Sequence, residues 1–72
     1  METYKELLQY IADFVQVRVY TNKMLGSYIG DDTSYADFMY DFQLSYNVNL
    51  SDLKDVRDMT VDHFIRVAME RL

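Results

Sequence analysis

His63 is the one histidine in a chain without cysteine, so thiolate chemistry, disulfides and thiolate metal sites are closed to it. A histidine acting as general base needs a nucleophile within hydrogen-bond reach and a third group to orient it. Ser27, Ser34, Ser45 and Ser51 all lie far from it along the chain. His63 stands one position before the apolar Phe64, where a lone histidine reads as a surface or boundary residue. The aspartates suggest calcium, but their spacing argues against it. An EF-hand loop needs oxygen ligands at alternate positions, a central glycine and a bidentate glutamate at its end. Asp52, Asp55 and Asp58 instead recur every third residue on a predicted helix and point outward together. Asp31 and Asp32 suit the capping of a helix start. No glycine-rich phosphate loop, paired acid–base spacing or histidine–carboxylate metal pattern occurs. These residues predict no enzyme, no metal and no resident cofactor.

Charge says more than chemistry does. The net charge is −5, and residues 31–62 carry eight aspartates against Lys54 and Arg57. Residues 1–30 balance Glu2, Glu6 and Asp13 with Lys5, Arg18 and Lys23. An acidic middle repels phosphate backbones and anionic lipid and attracts basic protein surfaces. The expected partner is therefore a protein with a basic surface, with no direct nucleic acid and no membrane. Within that segment Asp37, Tyr40, Asp41 and Leu44 fall at i, i+3, i+4 and i+7, one helical face opposite a continuous apolar stripe. Two carboxylates around a tyrosine and a leucine have the composition of a docking surface with an apolar centre. The other reading of this face is that Tyr40 and Leu44 pack against the first helix or the 21–30 loop. A different class of function is an acidic decoy that presents aspartates in place of nucleic-acid phosphates and so inhibits a nucleic-acid-binding protein.

The elements that must position this face are helical. Seventy-two residues, half of them hydrophobic, make one domain over 1–72 that buries roughly 60% of its unfolded surface. The absence of proline, with only Gly26 and Gly30, argues for an all-α bundle. Periodicity and cap residues predict helices over 3–19, 33–46, 51–58 and 60–71. Thr3 with Glu6, and Ser34 with Asp37, have capping-box spacing; Ser51-Asp52 and Thr60 open the later helices, and Asn47 ends the second. Phe14, Phe38, Phe42, Val48, Leu50, Val56, Phe64 and Ile65 are the expected core centre, and the last apolar stripe runs on to Leu72. No apolar run approaches the ~20 residues of a membrane span and no basic leader precedes one, so a soluble cytoplasmic protein is expected.

The run Tyr46-Asn47-Val48-Asn49-Leu50-Ser51-Asp52, followed by Thr60-Val61, resembles the second half of acyl carrier proteins. There an aromatic residue precedes alternating acidic and aliphatic residues, a Pro-Asp pair and a later Thr-Val. Gly30-Asp31-Asp32 through Asp52 is similar to a small bacterial family of acyl-carrier-like proteins of unassigned role. The resemblance covers about half the chain; residues 1–30 match only as an amphipathic helix and a long loop. It implies a small four-helix bundle, with three main helices and a short third one. In carriers a serine at the start of the second helix holds phosphopantetheine, where the helix N-terminus stabilises the phosphate. Counted back from Tyr46 without gaps, that position is Asp32, and Thr33 takes the place of the following leucine. A carboxylate cannot be phosphopantetheinylated. Ser34, two residues on, is the one alternative attachment point and would make the chain a true carrier. The resemblance also makes the second helix the partner-recognition surface, carried over to Ala36, Asp37, Tyr40 and Leu44.

Overall fold

A computed structural model describes residues 2–72. Three α-helices, α1 (Glu2–Val15), α2 (Asp32–Tyr46) and α3 (Val61–Arg71), are joined by connections that each contain one 3-10 turn, Leu25–Ser27 and Val56–Asp58. No strand occurs among the described residues; a single antiparallel bridge links Met24 to Thr60. The chain is thus a small all-helical bundle. None of its helices is long and apolar enough to cross a membrane.

The rings of Phe38 and Phe42 from α2 and Phe64 from α3 are fully buried, with centroids 5.3–5.8 Å apart. Leu7 and Ile11 close the centre from α1, and Val48, Leu50 and Val56 from the second connection. Phe14 differs from expectation: it is half-buried and meets the edge of this cluster through Phe38, at 5.3 Å. Leu72 is exposed, so the last stripe ends at Ala68.

α1 stops at Val15 rather than near residue 19. Gln16 takes a left-handed backbone (φ 59°) and its N–H bonds the Ala12 carbonyl. A continued helix would have put Arg18 on the Leu7–Ile11 stripe, at i+7 from Ile11, and burying an unpaired guanidinium is costly. Thr3, expected as a cap, lies inside the helix. α2 is capped by Asp31, whose carboxylate accepts from the Ser34 N–H at 3.1 Å, so Ser34 is a first-turn residue and not the cap. Asn47 ends α2 in the left-handed region (φ 52°), and the Thr60 hydroxyl caps α3 by accepting from the His63 N–H, both as the sequence predicts.

The short helix expected over 51–58 shrinks to the Val56–Asp58 turn. The Asn49 side-chain oxygen accepts from both the N–H and the hydroxyl of Ser51, which occupies the would-be cap in a local turn. Asp55 then adopts φ 55°, which no α-helix accommodates. Consequently Asp52, Asp55 and Asp58 do not share a helical face.

Residues 16–30 form a wall of the core. Leu25 and Ile29 are buried, Tyr28 is half-buried, and the Leu25 N–H donates to the Met59 carbonyl. Val61 and Asp62 in turn donate to the carbonyls of Lys23 and Thr21. The two 3-10 turns press together at Gly26, where a Cβ would stand 2.8 Å from the Arg57 carbonyl oxygen. Replacing Gly26 with alanine should therefore cost about 1–3 kcal/mol, the range for overpacking, measurable by urea unfolding. A variant as stable as the parent would show that the turns separate freely.

Three arginines form ion pairs, two of them between separate segments and one within α3. Arg57 pairs with Asp32, Arg66 with Asp62, and Arg71 with Asp52. The Tyr4 hydroxyl also donates to Asp62, which joins α1 to α3. That bond first, then Arg66, holds the Asp62 carboxyl below the usual carboxylate range, and the Arg71 bond does the same for Asp52. A depressed folded-state pKa contributes stability above the unfolded carboxylate value and loses it as pH falls through the depressed one. The melting temperature should drop on acidification below about pH 4, and Tyr4→Phe should flatten that limb. A limb unchanged by Tyr4→Phe would remove the Tyr4–Asp62 bond from this account.

Candidate functional site

The buried Phe38, Met39 and Phe42 fix the roll of α2, so the opposite face must point to solvent. Ala36, Asp37, Tyr40, Asp41 and Leu44 are all exposed there. Tyr40 is 66% exposed and Leu44 64%, the two highest values among the described large apolar residues that stay in solvent. They lie one turn apart and are therefore neighbours on the surface. Neither packs on α1 or on the 21–30 loop. Asp37 and Asp41 enter no ion pair among the described residues, so their charge is presented undiminished beside the two apolar side chains.

The start of α2 is arranged differently. The Asp32 carboxylate accepts from Arg57 at 2.8 Å, and the same guanidinium nitrogen donates to the Gly30 carbonyl at 3.0 Å. The guanidinium carbon of Arg57 also lies 4.7 Å from the centre of the Tyr35 ring. Partial burial of that ring pushes the Tyr35 hydroxyl above its ordinary pKa, and the Arg57 charge opposes the shift. Tyr35, Val56 and Arg57 line a depression of about 370 Å³ with Asp55 and Asp58. Its one cation is already engaged by Asp32, which leaves carboxylates facing the opening.

These residues do not fit phosphopantetheine. Position 32 offers a carboxylate in place of a hydroxyl, and that carboxylate is held by Arg57. Asp31, whose carboxylate accepts from the Ser34 N–H as the cap, puts a negative charge at the helix N-terminus that would otherwise favour a phosphate. The Ser34 hydroxyl is exposed and free of a capping role, but the Asp31 and Asp37 carboxylates flank it in sequence. Incubation with coenzyme A and a broad-specificity phosphopantetheinyl transferase should leave the intact mass unchanged. A gain of one phosphopantetheine, abolished by Ser34→Ala, would make the chain a carrier instead.

The remaining chemistry-bearing residues stand apart. His63 is exposed, and it is its backbone N–H that takes part in the α3 cap. Among the described residues no group of three or more His, Cys, Asp or Glu is placed to hold a metal ion. The Arg57–Asp32 link spans 25 positions of sequence and left no local signal to find it by. A groove of about 410 Å³ along α1, lined by Lys5, Leu8, Gln9, Ala12, Arg18 and Val19, was also missed. It forms because the chain turns at Gln16 and runs back beside α1, whereas the sequence suggested continuous helix. No protein-family model, no curated protein and no solved structure matches the chain.

Proposed function

We propose that this chain is a small non-catalytic interaction module of acyl-carrier-like fold that docks to a basic protein surface through α2. The observation that carries the reading is the exposure of Tyr40 and Leu44, side by side and next to the carboxylates of Asp37 and Asp41, which enter no ion pair among the described residues. Contiguous exposed apolar side chains rimmed by charge are a usual composition for a protein-binding patch. The resemblance of residues 30–61 to acyl carriers supports the same surface, because carriers meet their partner enzymes through the second helix. The Asp32–Arg57 pair supports a module without the prosthetic group. The decoy reading is the weaker one: arginines neutralise Asp32, Asp52 and Asp62, whereas a phosphate mimic needs its acids unpaired.

Aromatic and aliphatic anchors supply most of the affinity in such contacts, and rim charges steer the approach. Tyr40→Ala and Leu44→Ala should each weaken partner binding by about 1–3 kcal/mol. Both are surface changes expected to move stability by no more than about 0.5 kcal/mol, a shift of up to ~4 °C in melting temperature for a domain of this size. Asp37→Asn and Asp41→Asn should mainly slow association, and less so as salt rises. The partner is reached by placing a photo-reactive phenylalanine analogue at position 44 and irradiating in cells. The expected result is a discrete adduct with a basic protein, lost in Asp37→Lys/Asp41→Lys. The same adducts from a control position at Asn22, or a large thermal destabilisation by Tyr40→Ala, would sink the reading.

A further inference from the structure

The exposed large apolar residues other than Leu72 fall into two sets of opposite charge. Tyr40 and Leu44 sit among the acids of α2; Val17, Tyr20 and Met24 sit in a segment, residues 16–30, that has Arg18 and Lys23 and no acid. Beside that segment runs the groove whose floor is Leu8, Ala12 and Val19 and whose rim carries Lys5 and Arg18. Neither cation takes part in an ion pair among the described residues, although all three arginines of the later half do. An apolar groove with two such cations on its rim complements an apolar ridge with two carboxylates along its side. The ridge and the groove share no residue and lie on different elements, so one chain can offer both at once.

We propose that the α2 ridge of one copy seats in the Lys5–Arg18 groove of a second copy, head to tail. This rests on the reading of α2 as a docking face and takes the Lys5–Arg18 groove of a second, overall acidic copy as an additional basic surface for it, so the position-44 adducts should include one of twice the 8.6 kDa chain mass. Asp37 and Asp41 meet Lys5 and Arg18, and Tyr40 and Leu44 cover Leu8, Ala12 and Val19. A head-to-tail contact is heterologous, so each added copy leaves one ridge and one groove open. Each copy carries a net charge of −5, which opposes association at long range. At about 0.1 M salt the screening length is about 10 Å, so whole-molecule repulsion fades while charges in contact still attract.

Sedimentation velocity over a concentration series tests this with the chain itself. The wild-type mean mass should rise above the 8.6 kDa of one chain with concentration, and less so at 1 M salt, where screening falls to about 3 Å. Lys5→Glu/Arg18→Glu spoils the groove and Tyr40→Ala/Leu44→Ala spoils the ridge. Circular dichroism confirms that both remain helical, as expected for exposed positions. Each alone should associate about tenfold more weakly or worse. Mixed in equal amounts, they should form a one-to-one complex that grows no further, because the remaining ridge and groove are both spoiled. A reciprocal two-fold pair would give the same mixed complex but would stop at two copies in the wild type, so a wild-type mass that rises past the dimer is required as well. A wild-type chain that stays single into the millimolar range overturns the head-to-tail contact. If the position-44 adduct with a basic protein persists in that case, the α2 reading stands without it. Association that survives Tyr40→Ala/Leu44→Ala overturns the head-to-tail contact, and loss of the position-44 adduct overturns the α2 reading.

Discussion

Three phenylalanine rings set the terms for the rest of the molecule. Phe38, Phe42 and Phe64 come from two helices, and no two helices can keep them dry in a chain of this length. α1 covers them with Leu7 and Ile11, and the two connections must supply the remainder through Leu25, Ile29, Val48, Leu50 and Val56. The connections are therefore packed elements, and their backbones need partners for buried polar groups. The bonds from Leu25 to Met59, Val61 to Lys23 and Asp62 to Thr21 provide them. The Gln43 side chain does the same for the second connection, donating to Met39 and accepting from the Leu50 N–H at 2.6 Å.

What the sequence made legible was local. Phe38 and Phe42, or Phe64 and Ile65, stand at helical spacing, and Asn47 and Thr60 carry backbone preferences of their own, so α2, α3 and their junctions followed from neighbours a few residues apart. The outward face of α2 followed too, since fixing one side of a helix fixes the other. The rest required knowledge of distant groups. Val15, Val17 and Val19 left the end of α1 ambiguous because β-branched residues suit helix and extended chain alike, and the outcome turned on where Arg18 would fall. Ser51 had every property of a helix cap, yet the Asn49 side chain holds its backbone in a local turn and Asp55 leaves the helical region. Among Asp31, Asp32, Thr33 and Ser34, all competent caps, composition gave no ranking.

Folding also redistributes the charge that sequence counting assigns. Residues 31–62 are strongly acidic on paper, but Arg66 and Arg71 from α3 pair with Asp62 and Asp52, and Arg57 is spent on Asp32. Those pairs are exposed and contribute little stability individually. Their larger effect is on the surface. They quench Asp32 and Asp62 at helix starts and Asp52 in the second connection and leave the middle of α2 unquenched, while Lys5, Arg18 and Lys23 enter no ion pair among the described residues. Folding thus moves the surplus of the acidic segment off Asp32, Asp52 and Asp62 and leaves it on carboxylates such as Asp37 and Asp41.

A lone exposed tyrosine or leucine means little on a protein surface. Tyr40 and Leu44 differ because the Phe38–Phe42 contact holds α2 at a single roll angle, so their exposure is imposed by the core and is not a local accident. A small roll that sheltered Tyr40 would pull Phe42 out of its contact with Phe64, and burying a phenylalanine is worth far more than half-burying a tyrosine. The ridge is accordingly rigid, carried on a capped helix whose first turn is pinned by Arg57 and whose last is closed by Asn47. Little conformational freedom remains to be lost there when a partner covers it, beyond the rotamers of the side chains themselves. An interaction surface built this way gains its affinity from being already in place, which suits a chain too small to build a deep pocket.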